Sequence, residues 1–295
     1  ARKFIRLCLA VAWWGAAAWA QNEASVSWIS FEAGEPLKQP REQACLAPLG
    51  NGEVLVAGGV AEGTVSGAVE IYHPERGWRA ARPMAVPRAE HSCTALADGR
   101  VLAAGGRNES GAVGVIEIYD PDQDEWRRLS QAMLARWGHT ATLLSDGRVL
   151  LAGGRNETRF FDTLEFVDPW FGAVTLLTSR LRSPRAGHAA APLPGGRALV
   201  AGGMNTAGFI ASTDVIQPAG RVDPGPTLGE GVAGLSATPL LDQKVLLAGG
   251  TGAFGEMADC YLYDPAGNRF EPAPGMPGPR SGHLAQFLEG NGRVR

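Results

Sequence analysis

The chain has 295 residues, with 27 basic and 30 acidic side chains and a formal net charge of -3. No Lys/Arg run follows the first few residues, so we expect no nucleic-acid partner. The composition is 45% hydrophobic with 40 glycines and 20 prolines. Without low-complexity runs, this favours many short strands joined by tight turns over a helical or disordered chain.

The first 20 residues have the pattern of a secretory signal peptide. Residues 1–6 are rich in basic side chains, residues 7–18 are apolar, and Ala18-Trp19-Ala20 is a small-x-small cleavage site. A membrane anchor and a buried helix are the alternatives, but the apolar stretch is short for a span and no later stretch is long enough. We therefore expect a secreted or periplasmic protein with no membrane span after signal removal.

Three cysteines follow the predicted signal: Cys45, Cys93 and Cys260. An odd number in an exported protein leaves at least one thiol unpaired. Cys45 and Cys93 occupy the same predicted strand of adjacent repeat units, one position out of phase, which points them to opposite sheet faces. We therefore expect no disulfide between them, and interpret them as small buried apolar side chains.

A glycine pair recurs at intervals of 47, 48, 49 and 47 residues and closes a short apolar run each time. The continuous hydrophobicity of these runs predicts strands that are buried on both faces. A period near fifty with such a strand in every unit indicates a radial β-repeat. The pairs are Gly58-Gly59, Gly105-Gly106, Gly153-Gly154, Gly202-Gly203 and Gly249-Gly250.

Three further strands are predicted in each unit. The first follows an Arg-x-x-His motif, which unit one keeps only as Arg41 and unit five lacks. The third alternates and ends at a proline, as in 117–121, and the fourth begins at an aromatic or apolar residue such as Trp126. The motif occurs at Arg88/His91, Arg136/His139, Arg185/His188 and Arg280/His283.

With the double glycine, the aromatic residue after it and the later tryptophan, the chain from about residue 41 resembles the kelch β-propeller family. The resemblance implies an all-β, kelch-type β-propeller of four-stranded blades around a central channel. We expect six blades in the intact protein, with seven as the alternative, and about five and a half here. The predicted blades are 41–87, 88–135, 136–184, 185–231, 232–279 and a partial 280–295.

The N-terminal segment 21–40 resembles the outer strand of a blade, with Trp28 at the tryptophan position and Leu37 before Arg41. Such a strand closes the ring in many propellers and removes exposed edges. Because the sixth unit stops at Arg295 before its glycine pair, we expect a fragment that lacks at least about 30 residues.

The periodic histidines are interpreted as structural. Symmetry spreads them around the axis, whereas metal ligands must converge within about 2 Å of one ion. Galactose-oxidase-type copper enzymes are similar propellers, but Tyr72-His73, the only Tyr-His pair, occupies a repeat position. Sialic-acid mutarotases are also similar, and the repeat positions do not support that assignment. We expect no metal ligands, no catalytic residues and no cofactor.

The loops after the glycine pairs vary, so specificity is expected there. One loop combines charge and aromatic area, the mixture favoured at interfaces, although a solvated loop is the alternative. The sequence favours a monomeric binding or interaction module for protein or carbohydrate; the alternative is a copper oxidase or sugar isomerase. The ligand-binding candidates are Arg107, Asn108, Arg155, Asn156, Arg159, Phe160 and Asn205.

Overall fold

The computed structural model describes residues 8–12, 29–33, 36–50, 52–283 and 285, the first two ranges as backbone only. Within these ranges all of the regular secondary structure is β-strand. None of the described residues forms a helix with the length and hydrophobicity needed to cross a membrane.

Five antiparallel sheets of four strands follow one another along the chain, and the strands of each sheet pair in chain order. The first strand of each sheet lies against the first strand of the next, so the first strands are innermost and the fourth strands outermost. The predicted all-β propeller of four-stranded blades is confirmed. Blade 1 consists of β3 (Cys45–Pro48), β4 (Val54–Ala57), β7 (Val69–His73) and β8 (Gly77–Ala81); blade 2 of β9 (Ser92–Ala95), β10 (Val101–Ala104), β13 (Ile116–Asp120) and β14 (Glu125–Arg128); blade 3 of β15 (Thr140–Leu143), β16 (Val149–Ala152), β17 (Thr163–Asp168) and β18 (Ala173–Arg180); blade 4 of β19 (Ala189–Leu193), β20 (Arg197–Ala201), β23 (Thr213–Ile216) and β24 (Val222–Pro224); and blade 5 of β25 (Ser236–Pro239), β26 (Val245–Ala248), β29 (Cys260–Asp264) and β30 (Arg269–Ala273).

Short hairpins follow the glycine pairs of four blades. In blade 3 an isolated bridge between Arg155 and Phe160 takes the place of the hairpin. These loops therefore all leave the second strand at the same end of the propeller. The hairpins are β5 (Val60–Ala61) with β6 (Thr64–Val65), β11 (Arg107–Asn108) with β12 (Gly111–Ala112), β21 (Met204–Asn205) with β22 (Gly208–Phe209), and β27 (Thr251–Gly252) with β28 (Gly255–Glu256).

The second strand of each blade packs against neighbours on both faces, which explains its continuous hydrophobicity. In β10, Leu102 belongs to the cluster shared with blade 3, where it meets Val149. Val101, on the other face, belongs to the cluster shared with blade 1 and its Leu55. Each of the four layers between neighbouring blades is thus built by two blades, so a single unit cannot bury both faces alone.

Both glycines of a pair are needed because neighbouring segments approach them too closely for a side chain. Gly105 has φ +64°, and a Cβ atom there would lie 2.6 Å from the His139 ring and 2.7 Å from the Arg136 carbonyl oxygen. Gly106 has φ +99°, and its Cβ would lie 2.8 Å from the Ala89 carbonyl oxygen. Positive φ and close approach together exclude any side chain at these positions.

A buried ion pair lies inside each of the first four blades and joins the start of the blade to its third strand. Arg88, fully buried, pairs with Glu117 and also donates to the carbonyl of Val115 at 2.8 Å. Blade 5 has Val232 and Tyr261 at the two positions. The pairs are Arg41–Glu70, Arg88–Glu117, Arg136–Glu165 and Arg185–Asp214.

The expectation about the cysteines is wrong, since Cys45 and Cys93 form a disulfide with their Cα atoms 5.4 Å apart. Adjacent blades present opposite faces to each other, so a residue one position out of phase on the next blade points back toward the first. The two side chains therefore enter the same interblade layer, with Ala47 and Val101. Cys260 is free and buried, and burial raises its thiol pKa to about 11.

The N-terminal residues form a separate two-stranded sheet. β1 (Cys8–Ala12) pairs antiparallel with β2 (Ile29–Ala33), and neither strand joins a blade. Trp28 lies outside the described residues, so the signal peptide and the ring-closing strand remain predictions. Leu37 packs on the free face of blade 1, against Ala44, Val56 and Trp78.

Candidate binding cleft at the propeller axis

A chain of backbone hydrogen bonds connects the blades beside the innermost strands. In blades 2 to 5 the residue two positions before the innermost strand donates its N–H to the carbonyl of its counterpart in the preceding blade, and Gly282 donates to Gly234 in the same way, at 2.7–3.1 Å. All of these residues have φ between 53° and 69°. They form one rim around the axis: Gln43, Glu90, Gly138, Gly187, Gly234 and Gly282.

A cleft of about 540 Å³ opens beside this rim across blades 2, 3 and 4. The rim residues Glu90, Gly138 and Gly187 form part of its wall, together with Trp137 and Ala186 beside them, and the loops after the glycine pairs form the rest. Its volume lies in the range of small-molecule sites. The fold therefore brings loops from three blades to one concave surface.

Arg155 is the cationic centre of the cleft. Its backbone forms an antiparallel β-bridge with the backbone of Trp137, which fixes the position from which the Arg155 side chain extends. The guanidinium lies 5.3 Å from the centre of the Trp137 ring and 4.9 Å from that of Phe160, within cation–π distance of both. Its Nε is buried and has no hydrogen-bond partner among the described residues. A buried donor of this kind calls for a partner that the described residues do not supply.

Arg107 is the corresponding residue of blade 2, and its charge is already compensated. It donates from Nε to a Glu90 carboxylate oxygen at 2.6 Å and from the guanidinium to the Gln43 side chain at 2.9 Å. Both partners are rim residues, so Arg107 ties its loop to the rim. Arg155 makes no such ion pair within the described part of the chain.

Two carboxylates complete the polar lining of the cleft. Glu157 accepts a hydrogen bond from the backbone N–H of Ala112 at 2.7 Å, which joins the loop of blade 3 to the hairpin of blade 2. Glu109 is exposed on that hairpin and also lines the cleft. Apart from the ion pair of Arg107 with Glu90, the site therefore offers one cation, two carboxylates and two aromatic faces.

Four of the predicted site residues line the cleft, namely Arg107, Asn108, Arg155 and Phe160. Asn108 also accepts a hydrogen bond from the N–H of Ser110 at 2.9 Å, so it shapes its own hairpin. Whether the four bind a ligand remains a prediction.

The other three predicted residues lie outside the cleft lining. Asn156 accepts from the N–H of Arg159 at 3.0 Å and stabilises its own loop. The Arg159 guanidinium lies 4.9 Å from the Phe161 ring centre. Asn205 accepts from the N–H of Ala207 at 2.8 Å and donates to the carbonyl of Pro184 at 3.0 Å. These contacts are local to loops.

Sequence reasoning missed Trp137 and Met204, which also line the cleft. Trp137 stands inside the Arg-x-x-His motif, at a position where the other units have glutamate, alanine or serine. An aromatic residue at a variable position of a structural motif was the available signal. Its proximity to Arg155 depends on the bridge between segments, which the sequence does not reveal.

The repeat histidines are held apart from one another. Each shares a hydrogen bond through Nε2 with the preceding blade, for example His139 with Ser92 at 3.0 Å and His188 with Thr140 at 2.9 Å. Burial lowers the pKa of His188 to about 3, so its ring is neutral near pH 7. This geometry agrees with the structural interpretation of the series.

Tyr72 and His73 do not form a ligand pair. The Tyr72 ring packs on Trp78 with centroids 5.1 Å apart, and His73 Nδ1 accepts from the N–H of Glu75 at 3.1 Å in an exposed turn. Within the described residues, side chains of the types that bind metals meet in one group of three, Cys45, His91 and Cys93.

These features define a kelch-repeat β-propeller with a polar and aromatic cleft at the channel mouth. A model of the Kelch motif matches residues 87–133, which cover blade 2. No match is found among curated proteins. A solved structure described as "Structure of YjhT" is similar with a TM-score of 0.69 and 15% identity, over 85% of this chain and 89% of that chain. At this identity the likeness shows the fold alone.

Proposed function

We propose that this protein is an exported binding module whose axial cleft takes an acidic carbohydrate. The observation that carries the proposal is Arg155, held between Trp137 and Phe160 with a buried Nε that lacks a partner in the described chain. A carboxylate is the group that pairs best with a planar guanidinium. Export rests on the N-terminal sequence pattern.

The rest of the cleft favours a sugar over a protein segment as the carrier of that carboxylate. Trp137 and Phe160 offer flat apolar faces, against which the C–H face of a sugar ring packs well. Glu109 and Glu157 offer acceptors for hydroxyl donors. A ligand with one anionic group and several hydroxyls satisfies all three kinds of group in a space of about 540 Å³.

A sugar isomerase is the second candidate, and the placement of Glu109 favours it. This carboxylate and Arg155 line the same cleft, and neither forms an ion pair within the described residues. A carboxylate beside a bound sugar can move a proton to or from a ring or anomeric oxygen. Glu109→Gln would then abolish interconversion of anomers, measured by NMR, while binding persists. No comparable placement favours a copper oxidase.

Binding is tested by a glycan array and calorimetry on the full chain, with acidic and neutral sugars of equal size. We expect the acidic members to bind and Arg155→Ala to weaken them at least about tenfold, as expected for loss of a charge-assisted contact. The matched control is Arg159→Ala, because Arg159 also stacks on an aromatic ring but lies outside the cleft lining.

Equal binding of neutral and acidic sugars, or equal losses in the two arginine variants, would contradict the proposed recognition. If acidic peptides bind through Arg155 and no sugar does, the module has a protein ligand instead. Anomer interconversion at a rate unaffected by Glu109→Gln would remove the isomerase alternative.

A further inference from the structure

The innermost layer between blades 1 and 2 differs from the other junctions. At the other junctions that keep the repeat histidine, its Nε2 meets a hydroxyl of the preceding blade, as in Ser236 with His283 at 2.9 Å. Between blades 1 and 2 the atom that meets His91 is Cys45 Sγ, one of the two disulfide sulfurs, also at 2.9 Å. Cys93, two residues after His91, stands where the next three blades have alanine.

These two replacements bring three metal-binding atoms together. The two Sγ atoms and the imidazole nitrogen of His91 all lie within 4.8 Å of one another. Cys45 is 4% exposed and His91 is 6% exposed, so two of the three donors are largely shielded from water, and Cys93 is half-buried. At the neighbouring junction, Ser92 and His139 supply one hydroxyl and one imidazole without any thiol.

We propose that reduction of the Cys45–Cys93 disulfide creates a binding site for one thiophilic d10 metal ion, Zn²⁺ or Cu⁺, with Cys45, Cys93 and His91 as ligands. Soft thiolate sulfurs with an imidazole nitrogen are a donor set that selects these ions. Three protein ligands leave a fourth position of tetrahedral zinc open, and they complete a trigonal Cu⁺ site.

The chemistry balances with a dithiol as the reductant. The dithiol gives two electrons and two protons to the S–S bond and becomes a cyclic disulfide, and two Cys thiols result. Binding of the metal ion then displaces both thiol protons. Zn–S distances near 2.3 Å place two bound sulfurs about 3.8 Å apart, so the sulfurs separate when the bond breaks. The site is therefore redox-controlled: the two cysteines form a disulfide bond when oxidised and a metal site when reduced.

The test uses the full chain, reduced without air by a phosphine that is removed by gel filtration before any metal is added. Zn²⁺ and Cu⁺ are titrated separately against chromophoric chelators, and Co²⁺ serves as a spectroscopic probe. We expect one equivalent per chain after reduction, none in the oxidised protein, and thiolate-to-Co²⁺ charge-transfer absorption. One ion binding without the other identifies which of the two the site takes.

Three variants assign the ligands, and each introduces the residue found at the equivalent position of another repeat unit. Cys45→Ser restores the hydroxyl of Ser92, Cys93→Ala restores the alanine of the next three blades, and His91→Leu copies Leu235. Each should weaken metal binding at least about 100-fold, the upper range seen for losing even an outer-shell partner. Cys260→Ala is the matched control and should bind metal as the wild type does.

The proposal is overturned if the reduced wild type binds no more metal than the variant with both Cys45→Ser and Cys93→Ala. It is equally overturned if Cys260→Ala abolishes binding or if the oxidised protein binds as tightly as the reduced one. Circular dichroism of each variant verifies folding, so a loss of metal is not confused with a loss of structure.

Discussion

At the scale of single residues, arginine has two opposite roles in this propeller. Arg136 is fully buried, pairs with Glu165 and donates to the carbonyl of Gly153 at 2.8 Å. Arg155 stands in the axial cleft between aromatic rings, with a buried nitrogen that has no partner in the described chain. The first arrangement uses up the guanidinium donors within the fold, and the second keeps a donor available for a ligand.

The buried pair gives a test at this scale. Arg136→Met should lower the free energy of unfolding by about 3–5 kcal/mol, because it leaves the Glu165 carboxylate buried without its cation. The double variant Arg136→Val/Glu165→Tyr copies Val232 and Tyr261 of blade 5 and should recover more than half of that loss. Urea unfolding measures both. A loss in the double variant equal to the sum of the losses of Arg136→Val and Glu165→Tyr, each measured singly, would contradict the coupling.

At the scale of strands, each repeat histidine joins two blades through one hydrogen bond. Where the histidine is absent the partner changes as well: Leu235 packs in the layer that contains Ala189, which has no polar group. Elsewhere the partner is a hydroxyl, as in the pair Thr140 and His188, or Cys45 Sγ in the case of His91. The junctions thus come in two matched forms, one polar and one apolar.

The polar form makes stability depend on pH. Burial lowers the pKa of His188 to about 3, below the value near 6.5 of an unfolded chain. The unfolded state therefore binds more protons between these values, so stability is full above about pH 6.5 and declines toward pH 3. The double variant His188→Leu/Thr140→Ala should lose less stability between pH 6.5 and 5 than the wild type.

Urea midpoints at several pH values within this window measure the effect, since most carboxylates remain charged there. Thr140→Ala alone is the matched control, because it removes the hydroxyl and keeps the titrating ring. An unchanged slope in the double variant would show that His188 does not carry the pH dependence.

At the scale of the whole molecule, stability is a sum over blades and the layers between them. Blades 2, 3 and 4 share a core layer with a described neighbour on both faces. The outward faces of blades 1 and 5 carry smaller clusters, around Val56 and Leu246 respectively. The backbone rim links the blades in sequence and adds a connection at every junction.

Hydrogen exchange of the 295-residue chain should report this gradient. The second strands of blades 2, 3 and 4 should exchange slowest, and the equivalent strands β4 and β26 about tenfold faster or more, because opening them breaks one layer instead of two. Since all five strands have the same position in their blades, they are matched internal controls. Equal protection in all five would mean that the ring unfolds as one cooperative unit.

Much of the fold follows from the sequence because the determining contacts repeat. Gly105 admits no side chain where the next blade approaches, and the apolar run before it is buried on both faces, so both signals recur at every unit. The loops that hold Arg155 and Phe160 were identified by the same reasoning, as the parts that escape the repeat. Local pattern and spacing therefore determined the blade architecture and the region in which a site is expected.

Tertiary structure decided what depends on which faces and loops meet. The pairing of Cys45 with Cys93 follows from stacked blades presenting opposite faces, whereas phase along one strand suggested the reverse. Trp137 reaches Arg155 because a backbone bridge joins two segments that are separate in sequence. A periodic pattern specifies the contacts that every unit makes with its neighbours. The axial cleft is instead formed by different side chains from three blades, and only the assembled ring brings these side chains together.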